Sequence, residues 1–541
     1  MSPVNRRRIA FWAAAVVGSV AAGFLLCSAD IVSWDDLTHL GQSRYLLSRV
    51  GLIPGPVDIA PIVRWYGPLW EFFLGLNSEF LFRSLKDPLL VRHALTFAWF
   101  PMTLLVLPTL LLRAGVQRAT AVLAGSLLFG MIRLGGHAAV NVKDLPFACA
   151  FVLVTVYLWI LLREGRERSE GRRYPVRELA RLGVVALIPY LLRPPALIHF
   201  PLLLAFLALH AALFEEDPSW RRAILIPAAL TAMGLLLVAA LFPGIRDGGW
   251  RTWLSSFAGF SRFPWTGAVR AFGRSFPSTE VPAWYPFAWF PAILDPSALL
   301  VAAAGLTLTV FRPRAVGHPF RLDARGAPFD LSLRAWVGVV AFLSWGILLA
   351  RRPVLYDEER HLLFLYPPVL VLAALGLDAL TERSKLALSA VIAASSLISY
   401  AAWGRYSYVY KSPLVGDVRS SRFMGDYWGL CLPLAVRALD GRVPPSMDVL
   451  WDGPIETADA ENARLVQSTL SRVPGFATYR FRQEGAFTPP FAAVASNRLG
   501  QHLGSVLRDV AKGRARLLWE GDMPPGEPAC VLAEYLPIPR R

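Results

Sequence analysis

The sequence predicts a polytopic α-helical membrane protein of about eleven spans, followed by a small extracytoplasmic α/β domain. Three observations carry that prediction. Apolar runs recur from residue 9 to residue 404, most of them near the ~20 residues that cross a hydrocarbon core as a helix. The composition agrees: 55% of the 541 residues are hydrophobic, 17% are charged and the mean hydropathy is +0.44, whereas soluble domains carry about 25% charged residues. The net charge of +16 sits on Lys and Arg in short segments between apolar runs, the pattern of the positive-inside rule rather than of a nucleic-acid-binding face.

The first span, Ile9 to Cys27, follows Arg6-Arg7-Arg8, which places the N-terminus in the cytoplasm. Its run exceeds the h-region of a cleaved signal peptide, and Leu25-Leu26-Cys27-Ser28 is a poor cleavage site. A polar-aromatic outer stretch follows, 29–92, and span two covers 93–112 and ends at Arg113. Span three runs to about residue 133; after the outer loop 134–146, span four ends near Leu162. The loop Arg163 to Arg181 is the most basic in the chain and is assigned to the cytoplasm. Spans five and six form a tight pair around Leu192-Arg193-Pro194-Pro195 and return to the loop Glu215 to Arg222, and span seven reaches Phe242.

The outer stretch 244–296 has Trp250, Trp253, Phe257 and Phe260 at helical spacing, so an interfacial helix or an aromatic belt is expected there. Span eight descends to the basic loop Arg312 to Arg334, and span nine emerges at Arg351-Arg352 into the outer loop 351–361. Span ten returns to Glu382-Arg383-Ser384-Lys385, and span eleven emerges near Trp403. Residues 1–404 thus form the membrane domain. Residues 405–541, with strand-like pieces Arg516 to Trp519 and Ala529 to Tyr535 and a helical run Ala458 to Val473, form the outer domain. An oxidising compartment would allow a Cys431–Cys530 disulfide, with two free buried thiols as the alternative.

Candidate chemistry begins at Ser33-Trp34-Asp35-Asp36, where the chain leaves the first span. An Asp before a short amphipathic helix is an ordinary cap, but capping needs one carboxylate and two are present. A carboxylate at the bilayer rim also suits a general base, because partial desolvation raises its pKa. A second cluster, His137, Asn141, Lys143 and Asp144, stands in the outer loop at the mouth of span four, where Asp144 could also cap the helix beginning near Pro146. Lys143, Arg193, Arg351, Arg352 and Arg360 are cations on the outer side that topology does not require; together they suggest an anion site such as a lipid phosphate. Asp35, Asp36, His39, His137 and Asp144 could ligate a metal by type, but no spacing resembles a zinc signature, and an essential metal is not expected. The Gly-rich run Arg133 to His137 lacks the Gly-Lys-Ser/Thr ending of a phosphate-cradling loop.

Four stretches taken together resemble the GT-C superfamily of glycosyltransferases, in its bacterial protein O-mannosyltransferase-like and aminoarabinose-transferase-like branch. They are the Asp35-Asp36 outer loop, His137-x-x-x-Asn141-x-Lys143-Asp144-Leu-Pro146, Tyr356-Asp357-Glu358-Glu359-Arg360-His361, and Gly425-Asp426-Tyr427-Trp428-Gly429. The resemblance implies a GT-C fold and inverting sugar transfer from a polyprenyl-phosphate monosaccharide, with no cofactor. The acceptor would be an envelope glycan, a lipid or a protein, reached from the periplasmic side of the inner membrane. It makes Asp35 the favoured base, with Asp36 a rival, and lets Lys143, Arg193, Arg360 and His361 hold the lipid phosphate while His137, Asn141 and Asp144 orient the substrate. No inserted β-trefoil domain of the eukaryotic enzymes is evident. A flippase or lipid transporter would also have many spans, but paired inverted repeats with broken midplane helices are expected of it, and no such symmetry stands out.

Overall fold

The computed structural model describes residues 3–27, 35–55, 57, 67–85, 87–168, 176–214, 228, 232, 267–311, 320–321, 330–416, 422–427, 430–445, 447–451, 480–482, 489–496, 501–524 and 526–535. Span seven, the aromatic run Trp250 to Phe260, the helical run 458–473, and residues Trp34, Trp428 and Gly429 lie outside the described residues.

Helices stand where the apolar runs place them. α1 (Pro3–Leu26) leads to α2 (Asp36–Arg49), the short amphipathic helix expected after the Asp pair, and to α3 (Pro68–Leu76). Asp87 starts α4 (Pro88–Phe97) by accepting the Leu90 N–H at 2.9 Å, with Pro88 at the first turn where its missing N–H costs nothing. α5 (Trp99–Arg113) continues α4 as one span, and α6 (Arg118–Phe129) meets α7 (Ile132–Ala138) at a bend of 68°. Then come α8 (Asp144–Arg168), α9 (Val176–Leu192) and α10 (His199–Phe214). Past a hairpin of β1 (Ala268–Ala271) and β2 (Arg274–Pro277), α11 (Tyr285–Ile293) and α12 (Pro296–Phe311) follow. A short antiparallel pair, β3 (Phe320–Arg321) and β4 (Asp330–Leu331), precedes α13 (Leu333–Arg351), α14 (Tyr366–Gly376) and α15 (Glu382–Trp403).

Among the described residues, five stretches are long and apolar enough to cross a membrane, or six if the bent α6–α7 pair is one span. The chain is an integral membrane protein with several spans. α9, α10, α12 and α14 are 17, 16, 16 and 11 residues and fall short of that length. Burial separates the centre of the bundle from its rim. In α8, 89% of the apolar window is buried, against 11% in α1, and Val17, Phe342 and Ile398 are exposed on α1, α13 and α15, as a helix facing lipid requires.

The tail folds as a sheet in the order β6-β5-β7-β9-β8, made of β5 (Asp448–Trp451), β6 (Arg480–Arg482), β7 (Phe491–Ser496), β8 (Ala515–Met523) and β9 (Glu527–Tyr535). β5 runs parallel to β6 and β7, while β9 is antiparallel to β7 and β8. Alternation along β7 sends Ala492 and Val494 towards α16 (Leu432–Leu439) and Phe491, Ala493 and Ala495 towards α17 (Gln501–Ala511), so both faces are covered. Cys431 and Cys530 form a disulfide that ties the start of α16 to β9. The apolar cluster on the α16 face also contains Leu40 of α2, Val140 and Tyr408, so the tail is packed onto the same end of the bundle as the Asp35 loop.

Candidate active site

Four helix ends meet at one place: the entry to α2, the entry to α8, the exit of α9 and the turn before α14. Asp35 occupies the cap position of α2, yet its side chain makes no cap hydrogen bond. Its Oδ2 accepts instead from Lys143 Nζ at 3.1 Å and from Arg360 Nη1 at 2.6 Å. The side chain keeps 30% exposure, whereas those of Lys143 and Arg360 keep 9% and 2%. The expected rise in basicity by desolvation is reversed. Burial does push the Asp35 carboxyl up, but Arg360 and then Lys143 outweigh it and hold it well below the usual carboxylate range.

The loop before α8 is organised by Asn141. Its Oδ1 accepts the Asp144 N–H at 2.8 Å and the Lys143 N–H at 3.3 Å. Its Nδ2 donates to Asp144 Oδ2 at 3.1 Å and lies 3.0 Å from His137 Nδ1. Asn141 therefore caps α8, the role Asp144 was expected to be able to take. Asp144 is instead the first residue of the helix, and its carboxylate pairs with Arg193. The network reaches the Arg360 turn through His137, whose Nε2 is 3.8 Å from Glu359 Oε1.

That turn is held in an unusual backbone. Asp357 and Glu358 have φ of 52° and 60°, the left-handed region that non-glycine residues avoid and that clusters at functional sites. Its carboxylates are clamped by cations from other elements. Arg133 of α7 pairs with Glu358 and Glu359, donates to Tyr410 O at 2.6 Å and stacks over the Trp289 ring at 4.7 Å. Lys411 Nζ lies 3.4 Å from Glu358 Oε1. Burial raises the Glu358 carboxyl despite Arg133 and Lys411, and it lowers the Lys411 ammonium to about 8 despite Glu358. The turn's product is the position of Arg360, fixed by Asp357 at 3.1 Å and by the Tyr356 ring at 5.0 Å. His361 stands 3.4 Å from Arg360 Nε; burial, then Arg360, depress its pKa far below the usual value, so it is a neutral hydrogen-bonding group.

Asp36 has other partners. It is fully buried, with Oδ1 2.9 Å from His93 Nε2. Beside it Glu71 binds His39 Nδ1 at 2.9 Å, Arg92 Nη2 at 2.5 Å and Ser43 Oγ at 2.8 Å. Burial would raise the Glu71 carboxyl, but Arg92 and His39 lower it to about 2. A small cavity, water-sized rather than substrate-sized, lies between the two networks and is lined by His39, Trp70, Glu71, Lys143 and Arg193.

The structure thus gathers Asp35, His137, Asn141, Lys143, Asp144, Arg193, Arg360 and His361, and gives Asp36 to the α4 side. Arg351 and Arg352 stay exposed at the end of α13. Glu71, Arg92, His93 and Lys411 were not singled out from the sequence, and Glu358 and Glu359 stood there only within the Tyr356 to His361 stretch, with no role assigned. The signal for the first three was charge inside apolar text, Trp70-Glu71-Phe72-Phe73 and Val91-Arg92-His93-Ala94. Among the described residues no group of three or more His, Cys, Asp or Glu could hold a metal ion.

No family model and no curated protein matches the chain. Solved structures do align along nearly all of it. ArnT from Cupriavidus metallidurans in the apo state is similar at 12% identity over 98% of this chain and 98% of that one, with a TM-score of 0.46. The same protein bound to undecaprenyl phosphate aligns at 11% identity over 97% and 98%, again with a TM-score of 0.46. A likeness at this level defines no family by itself.

Proposed function

We propose that the chain is a membrane glycosyltransferase that moves a monosaccharide from a polyprenyl-phosphate donor to an acceptor hydroxyl, with inversion at the anomeric carbon and Asp35 as general base. The observation that carries this reading is the convergence of Lys143 and Arg360 on Asp35 beside the Asp144–Arg193 pair. A base and a set of cations at one end of an apolar bundle are the two halves that sugar transfer from a lipid phosphate needs. In the step, the acceptor oxygen attacks the anomeric carbon and the bond from that carbon to the phosphate oxygen breaks. The electron pair leaves on phosphate, which Lys143, Arg360 and Arg193 stabilise as its charge develops. The acceptor proton passes to Asp35. Neutral His361, His137 and Asn141 supply hydrogen bonds that orient the sugar or phosphate, and Asp144 holds Arg193 in place.

The same reading places about eleven spans in the inner membrane, with the N-terminus in the cytoplasm and the tail in the periplasm. The Cys431–Cys530 disulfide supports that placement of the tail, since such bonds persist in oxidising compartments. The acceptor is then an envelope glycan, lipid or protein on the outer side.

The test is transfer by the purified protein in liposomes, with polyprenyl-phosphate monosaccharides as donors and isolated envelope fractions as acceptors. Asp35→Asn should lower the rate by ~10² to 10⁴, the typical contribution of a positioned base, while Asp36→Asn retains it. Full activity in both variants removes the assigned mechanism. Sugar-lipid movement across the bilayer without transfer to any acceptor would make the protein a transporter instead.

A further inference from the structure

We propose that the lipid phosphate of the donor itself releases the base: by taking over Lys143 and Arg360 it displaces Asp35, which becomes able to accept a proton only once the leaving group is in place. The inference rests on the transferase reading and adds an order of events to it.

Each cation assigned to phosphate binding already has a carboxylate partner. Lys143 and Arg360 share Asp35 Oδ2, Arg360 also holds Asp357 at 3.1 Å, and Arg193 pairs with Asp144. Among the described residues these three cations and three carboxylates balance in charge, so a phosphodiester that binds the cations competes with the carboxylates for them. Exposure singles out which one yields. The side chains of Asp357 and Asp144 are 8% and 2% exposed, and Asp35 is 30% exposed. Arg360 does not follow Asp35 when the contact breaks, because Asp357 and the Tyr356 ring still hold it. Asp35 has no cap bond to α2 to break first, so its reorientation costs little beyond the ion pairs.

Charge gives the displacement its catalytic sense. An added phosphodiester anion leaves the cluster with one net negative charge, and Asp35 loses two stabilising cations at 2.6 and 3.1 Å. Both changes favour the protonated carboxyl, as a base accepting the acceptor's proton requires. Of the other groups facing Asp35, His39, one turn along α2, adds to the attraction that lowers the carboxyl but is held by Glu71 at 2.9 Å, and neutral His361 lies beside Arg360; neither makes an ion pair with Asp35 that would replace Lys143 and Arg360. Before the donor arrives the carboxylate is a poor base, so the acceptor hydroxyl is not activated at a site with nothing to transfer.

The experiment measures binding of polyprenyl phosphate to the full-length protein in nanodiscs. If Asp35 competes for the cations, removing its charge tightens binding: Asp35→Asn should bind about tenfold more tightly than wild type, because the fraction of time the cations are free limits apparent affinity. The same variant should lose transfer, so affinity for the lipid and catalysis move in opposite directions. Equal or weaker binding by a folded Asp35→Asn overturns the proposal. A second measurement needs no variant: carbodiimide labelling of Asp35 in the wild type, read by mass spectrometry, should rise when polyprenyl phosphate is added. Labelling that falls or stays unchanged overturns it too. If wild type does not bind polyprenyl phosphate at all, the transferase reading fails.

Discussion

Asp35 and Asp36 are neighbours with different partners because α2 begins between them. Successive side chains at a helix start point about 100° apart, so one carboxylate reaches Lys143 and Arg360 while the other is turned onto His93. Removing the charge of Asp36 leaves a buried histidine short of its partner, a cost of about 1–3 kcal/mol in stability. Glu71 allows a sharper measurement. Its pKa is lowered from 4.5 to about 2, worth about 3 kcal/mol of stability as an order of magnitude. Because the folded value is the lower one, that stabilisation is complete above 4.5 and is lost as pH falls towards 2. The thermal midpoint of detergent-solubilised wild type should therefore drop through that window, while Glu71→Gln starts lower and changes less across it. Equal slopes for the two proteins would remove Glu71 from the acid-sensitive network.

At the scale of elements, the bend between α6 and α7 lets Arg133 turn sideways into the Glu358-Glu359 turn. Gly136 makes that docking close. A Cβ there would stand 2.1 Å from the Tyr408 backbone nitrogen, so Gly136→Ala must push the 404–409 turn away, at about 1–3 kcal/mol. A fall of several degrees in the thermal midpoint is expected, and an unchanged midpoint would show that the contact is not tight. These elements also show what the sequence could and could not reveal. Apolar runs located the helices, and the Lys143-Asp144 and Arg360-His361 stretches were legible because charge at the mouth of a span is costly. The Arg133 clamp was not, since a glycine-rich pair following an arginine reads as a loop, and only the bend shows that Arg133 points inward. Asn141 in place of Asp144 as the cap was equally hidden, because both residue types cap helices well.

Across the whole molecule, the tail and the bundle share one apolar cluster that joins Leu40 and Val140 to Leu432, Ala529 and Leu532. The strand-like pieces Arg516 to Trp519 and Ala529 to Tyr535 fall within β8 and β9, but nothing in the sequence placed their sheet against α2. The disulfide closes a span of 99 residues, which on chain-entropy grounds stabilises the tail by about 4–5 kcal/mol. Reduction, or Cys431→Ala with Cys530→Ala, should lower the unfolding midpoint of the tail and leave the bundle helices intact by circular dichroism. A tail equally stable in reductant would mean the bond adds nothing to its fold.

The shared cluster also sets an order of manufacture. The helix that begins at Asp36 and gives Leu40 to this core precedes the β9 residues packed against it, Ala529 and Leu532, by hundreds of positions. Lys143 and Arg360 can meet Asp35, and Arg193 can meet Asp144, as soon as the bundle has assembled, but the apolar cluster that Leu40 and Val140 join waits for β9 to be made and sealed to Cys431. A chain interrupted before β9 would thus carry the charged residues while Leu40 and Val140 lacked part of their apolar packing.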